Sequence, residues 1–146
     1  LKTAVERKAY TVMRLLIKEG ANMYANDNEI LNNIIKKDNL TALIILLDNG
    51  FKINVTDDDF DNPIDNMIIS GKINIIKELL HRGININYND RAIKMAASEN
   101  KADILEVLFE NGVNVDVFTI RDIVDLTASG KLEAVKVIKE YKKNKK

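Results

Sequence analysis

The segment NPIDNMIISGKINIIKELLHRGININ, Asn62 to Asn87, holds two short helical patterns of apolar residues broken near the middle. The second is the clearer: Ile75, Ile76, Leu79 and Leu80 stand three and four apart, as one face of a helix requires. It stops at Gly83, where a C-cap glycine ends a helix. At the break stands Gly71, which tolerates the positive φ a tight turn needs. A helix of about eight residues is marginal on its own. Two such helices in a hairpin still expose an apolar side, which only a neighbouring hairpin can cover. The segment therefore reads as one unit of a stack in which each repeat contacts its neighbours.

Working outward, the same block recurs. NEILNNIIKKDNLTALIILLDNG, DNPIDNMIISGKINIIKELLHRG and DRAIKMAASENKADILEVLFENG align without gaps, and IRDIVDLTASGKLEAVKVIKEYK follows the pattern with Lys142 in place of the final glycine. The opening LKTAVERKAYTVMRLLIKEG is the block without its first three residues. Asp38 and Asn100 hold the mid-block turn where Gly71 and Gly130 hold it elsewhere, and Asp and Asn tolerate that conformation next best.

Pro63, Ile64, Gly71, Ile75, Ile76, Lys77, Leu79, Leu80 and Gly83 match or closely replace the pattern TPLHLAAxxGHxxIVKLLLxxGADVN, so the segment resembles the ankyrin repeat. MAAS (Met95 to Ser98) with ILEVLFENGVNVD (Ile104 to Asp116) is similar to a further copy, and GANM (Gly20 to Met23) is similar to GADV. The resemblance implies an all-α fold, an ankyrin-repeat solenoid of stacked antiparallel helix pairs joined by short hairpin loops. Five degenerate repeats are expected at about 1–27, 28–60, 61–89, 90–119 and 120–142, with a basic tail at 143–146. Lys139 and Lys142 stand where inner repeats place Leu and Gly, as in a closing repeat with a polar outer face. Leu1 begins partway into a first helix and is not Met, which suggests a domain cut from a longer protein, with more chain upstream.

The departures carry information too. Lys2, Asn32, Asp65, Lys94 and Val124 replace the His of the TPLH turn in successive copies, and the Thr is lost. Asn28, Asn62 or Asp61, Asp90 and Thr119 are the expected replacement N-caps. Stability is expected to rest more on aliphatic stacking than on that turn's hydrogen bonds. Asn28 to Asp61 spans the usual ~33 residues, whereas 29 separate Asp61 from Asp90 and 30 separate Asp90 from Ile120. One full-length finger thus stands among clipped ones, and it holds VTDDDFDNPI, Val55 to Ile64.

Composition excludes several function classes. Lys plus Arg and Asp plus Glu each number 22, so no net field draws the chain to nucleic acid or anionic membrane. The absence of cysteine removes disulfides and thiolate chemistry and favours a cytoplasmic setting. No apolar run approaches the ~20 residues of a membrane span, and no signal-peptide core opens the chain. The excess of Ile, Asn and Lys fits an AT-rich genome, such as that of some low-GC bacteria, some large DNA viruses or certain parasites.

The acidic finger does not read as a calcium loop. Counting from Asp57, Asn62 falls where the loop needs Gly, and Ile68 where it needs a bidentate Glu. Paired-carboxylate catalysis needs a buried acid, whereas these sit on an expected exposed hairpin. His81 is the only histidine and reads as a surface residue near a helix C-terminus. Ser70, Ser98 and Ser129 have no histidine partner in sequence reach, and no phosphate-binding or dinucleotide fingerprint occurs. With only 5% aromatic residues, RNA binding by Lys36 and Lys37 is a minor alternative. The tail YKKNKK reads as a solvated, fraying helix end whose charge suits the helix dipole.

No catalytic residue, cofactor or metal site is therefore expected. The resemblance implies a non-catalytic module that binds a protein partner through hairpin tips and the concave face of the first helices. On that basis the candidate contact residues are Asp58, Asp59, Phe60 and Asp61 on the finger, with Lys36, Lys37, Ile69, Ser70, Ser98 and Glu99 at first-helix ends. An alternative is the targeting arm of a larger enzyme or pathogen effector. A monomeric cytoplasmic domain is expected, in host cytoplasm if the source is a pathogen.

Overall fold

A computed structural model describes residues 1–25, 28–53, 63–84 and 90–145. The described residues form helices α1 (Lys2–Glu6), α2 (Tyr10–Lys18), α3 (Glu29–Lys36), α4 (Leu40–Asp48), α5 (Pro63–Ile69), α6 (Ile73–His81), α7 (Asp90–Ser98), α8 (Ala102–Glu110), α9 (Ile120–Ala128) and α10 (Leu132–Asn144). A single 3₁₀ turn, Val115–Val117, lies between α8 and α9. The all-α expectation holds, as does the pairing of a first and a second helix in each repeat. The chain divides into two compact units, Leu1–Pro63 and Ile64–Lys146.

One device ends the helices in every repeat. Lys8, Asp38, Gly71, Asn100 and Gly130, the mid-repeat turn residues, all have φ between +52° and +75°. The N–H of the next residue donates to a carbonyl five residues back, as in Ala9 to Ala4, Asn39 to Ile34 and Lys131 to Leu126. The glycine after each of the first four second helices does the same with positive φ, as where Phe51 donates to Leu46 across Gly50. This arrangement satisfies carbonyls that the helix leaves open and turns the chain back on itself.

In the first unit, α1 packs on α2 and α3, and α4 on α2 and α3. Val5, Met13, Ile34, Leu43 and Leu46 fill the space between them, each 1% exposed or less. A polar hub fastens the two repeats. Asn39, buried at 4% exposure, accepts from Tyr10 Oη at 2.9 Å and from the Ala42 N–H at 3.2 Å, and donates to the Val5 carbonyl at 3.4 Å. It caps its own helix and ties it to the preceding repeat. Past the other end of α4, Tyr24 stacks on Phe51 with ring centroids 4.7 Å apart.

In the second unit, α8 packs on α6, α7 and α10, and α10 on α7, α9 and the 3₁₀ turn. Ala92, Ala96 and Ala97 on α7 are fully buried, small enough for a close helix approach, while Ile75, Leu79, Leu105, Leu108 and Ile138 supply bulk. Phe118, 1% exposed, meets Phe109 edge-on at 6.3 Å and anchors the clipped connection between α8 and α9.

The expected caps divide. Thr119 accepts from the Asp122 N–H and the Asp122 carboxylate accepts from the Thr119 N–H, a complete capping box on α9. Asn28 is no side-chain cap: its φ of +69° departs from the extended backbone that lets a cap side chain reach back. Asp90 is the first residue of α7 itself, so its carboxylate sits in the first turn. Asp61 and Asn62 lie outside the described residues. The tail also differs from the expected fraying end. α10 runs on to Asn144, Lys142 lies 3.6 Å from Asp116, and Lys145 hydrogen-bonds both Asp116 and Asn114, so the basic segment is tied to the 3₁₀ turn.

Candidate partner-binding site

The residue that replaces the turn histidine acquires a new task in this chain. Lys2 bonds Glu29 in the first turn of the next repeat, and Lys94 pairs with Asp122 of the repeat after its own at 3.3 Å. Asp65, buried at 3% exposure, feels the charge of Arg91 at the start of the next first helix. Opposite charges thus face each other across successive first helices within a unit. Burial pushes the Asp65 carboxyl above the usual range, and Arg91 opposes that rise. Asp122 is held below it, chiefly by the Thr119 N–H, then by the Thr119 hydroxyl and Lys94.

The Lys94–Asp122 pair walls a cleft of about 320 Å³ between α7 and α9. Its floor is apolar, from Phe118 and Leu126; its walls carry Lys94, Ser98, Asp122, Asp125, Ser129 and Lys131. Ser98 Oγ donates to the Lys94 carbonyl at 3.0 Å, which satisfies the hydroxyl hydrogen and leaves lone pairs facing the cleft's polar rim. Asp125 and Ser129 are exposed. Such a mix of donors, acceptors and both charge signs over an apolar floor suits a polypeptide segment, whose backbone offers N–H and C=O in alternation. Among the described residues no group of three or more His, Cys, Asp or Glu side chains could hold a metal, and no helix is long and apolar enough to cross a membrane.

The sequence-derived contact residues fall as follows. Lys36 ends α3 and Lys37 caps it, both exposed in the first unit. Ile69, 37% exposed, ends α5, and Ser70 follows with its hydroxyl bonded to the Asn66 carbonyl. Ser98 ends α7 and lines the cleft; Glu99 follows it and is exposed. Asp58, Asp59, Phe60 and Asp61 lie outside the described residues. Sequence reasoning missed Asp122, Asp125 and Phe118 as cleft residues. The available signal was the opposite charge of Lys94 and Asp122 at the first helices of adjacent repeats.

A family model described as "Ankyrin repeats (3 copies)" matches residues 1–90 and again 31–119. The chain belongs to the ankyrin-repeat family. Two relatives of this ankyrin-repeat chain come from Fowlpox virus (strain NVSL). It is 29% identical to the ankyrin repeat protein FPV034, with 80% of this chain and 29% of the relative covered. It is 26% identical to the ankyrin repeat protein FPV031, with 82% of this chain and 39% of the relative covered. The chain thus spans well under half the length of either.

Proposed function

We propose that this chain is a non-catalytic interaction module that grips a segment of a partner protein along its first-helix ends, centred on the α7–α9 cleft. Ankyrin repeats generally serve as protein–protein interaction modules, and the observation that supports this particular surface is the cleft itself. Its rim residues Ser98, Asp125 and Ser129 contribute nothing to the buried core, yet they surround an apolar floor that a partner side chain can fill. Glu99 adjoins Ser98 at the end of α7, Ile69 and Ser70 occupy the matching end of α5, and in the first unit Lys36 and Lys37 occupy that of α3; each carries the same reading, as do Asp58, Asp59, Phe60 and Asp61 on the finger. The Fowlpox virus relatives and the absence of cysteine support a place in host cytoplasm.

Affinity capture from host-cell extract, read by mass spectrometry, tests this. Wild-type chain should retain a protein that Ser98→Arg/Ser129→Arg loses and that Glu106→Arg, on the exposed side of α8, keeps. Equal retention by all three chains overturns the assignment of the cleft. For the finger, Asp58→Lys/Asp59→Lys should weaken that partner while leaving the melting temperature unchanged.

A further inference from the structure

Within each unit, contacts between repeats mark which side of a repeat faces the next. Tyr10 reaches Asn39, Lys94 reaches Asp122, Asn100 accepts from the Ala134 N–H at 3.0 Å, and Phe109 meets Tyr141 at 5.2 Å. In the last repeat the corresponding positions are Leu132, Val124, Gly130 and Lys139. A pairing charge has become an apolar residue, and a buried aromatic has become a lysine.

The resulting face is unusual for an exposed surface. Val124 is 58% and Leu132 59% exposed, and Ile120, one turn before Val124, is 82% exposed. Lys136, Lys139 and Lys143 follow Leu132 at helical spacing along α10. All three are exposed and make no ion pair within 4 Å among the described residues. On α10 the three cations thus share the side of Leu132, with Glu133 and Glu140 about a quarter-turn away, and Ile120 and Val124 stand on α9 of the same repeat.

We propose that this outer face of α9 and α10 binds an acidic amphipathic helix of another protein. The helix lays its apolar stripe on Ile120, Val124 and Leu132 and sets carboxylates against Lys136, Lys139 and Lys143. A groove between two helices accepts a third in this way, with anchors spaced three and four apart. Charge complementarity chooses the occupant. Lys139 stands where repeat 4 buries Phe109 against Tyr141, and a purely aliphatic occupant would strand its ammonium, which is costly. A second copy fits poorly as well. Two-fold pairing through this face sets lysine against lysine, and the exposed apolar side of α2, Val12 and Leu15, is itself flanked by Arg14 and Lys18.

Fluorescence anisotropy with two designed helical peptides tests the proposal. One carries leucines on one face with glutamates flanking them; the other has lysines in place of those glutamates. Wild-type chain should bind the acidic peptide at least about tenfold more tightly than the basic one, a difference of ~1.4 kcal/mol. Lys136→Glu/Lys139→Glu/Lys143→Glu should reverse that preference. Ile120→Ser/Val124→Ser should weaken the acidic peptide about tenfold with an unchanged melting temperature, because both residues are exposed. Ser98→Arg/Ser129→Arg should bind the peptide as wild type does, which separates this face from the α7–α9 cleft. Failure of the acidic peptide to bind, equal binding of both peptides, or indifference to the triple reversal overturns it. So does self-association of the wild-type chain in sedimentation that Ile120→Ser/Val124→Ser abolishes, since a second copy then covers the face.

Discussion

Asp65 and Asp122 sit on first helices of the same unit, and their environments push them in opposite directions. The Thr119 N–H and hydroxyl and Lys94 all favour the charged form of Asp122, so its folded pKa lies below its unfolded value. The stability it adds is present above the ordinary carboxylate range, near pH 4, and is lost as pH falls through the depressed value. Asp122→Ala should therefore cost about 1 kcal/mol at neutral pH. That cost should shrink on acidification, as read from urea midpoints across pH; a constant gap would contradict the assignment. Asp65 carries the reverse sign. Burial raises its carboxyl, the folded state holds the proton more tightly, and stability falls as pH rises from about 4 through the raised value. Asp65→Asn should flatten that fall, so its stability relative to wild type should rise between acid and neutral pH. The sequence showed that the turn histidine was lost at Asp65 and at Lys94, the partner of Asp122. It did not show what took over, because each new partner lies a repeat away.

The mid-repeat turns were legible because their causes are local: apolar spacing within a helix, and a residue that tolerates positive φ just after it. Gly71, Gly130, Asp38 and Asn100 were found this way. Lys8 takes the same conformation at +55° without any chemical sign of doing so, since its neighbours impose it. Lys8→Gly should relieve that strain and stabilise the chain by up to about 1 kcal/mol. Asn100, at +54°, should respond in the opposite sense. Glycine would keep its backbone but lose the side chain that accepts from Ala134, so Asn100→Gly should destabilise by about 1 kcal/mol. Thermal melts of the two variants check the pair, and a shared sign would mean that backbone strain alone governs these turns. Caps were less legible: Thr119 met its requirement, whereas Asn28 entered a left-handed conformation that its residue type permits but does not announce.

At the scale of the molecule, a chain with no net charge distributes its charges in local pairs across repeats and leaves three cations beside apolar residues at one face. The candidate cleft was only half visible in the sequence. Ser98 was found from its place at a first-helix end, but the floor comes from Phe118, carried in by a clipped connection whose path no spacing rule supplies. The proposed function places a partner protein in the cleft between α7 and α9. Its most direct test places a photo-crosslinking side chain at position 98 or, as control, at position 106, irradiates each chain in host-cell extract, and identifies the adducts. One adduct specific to position 98 is expected, competed away by excess unlabelled chain and absent when Ser129→Arg is added. Equal labelling from both positions, or none from position 98, would contradict it.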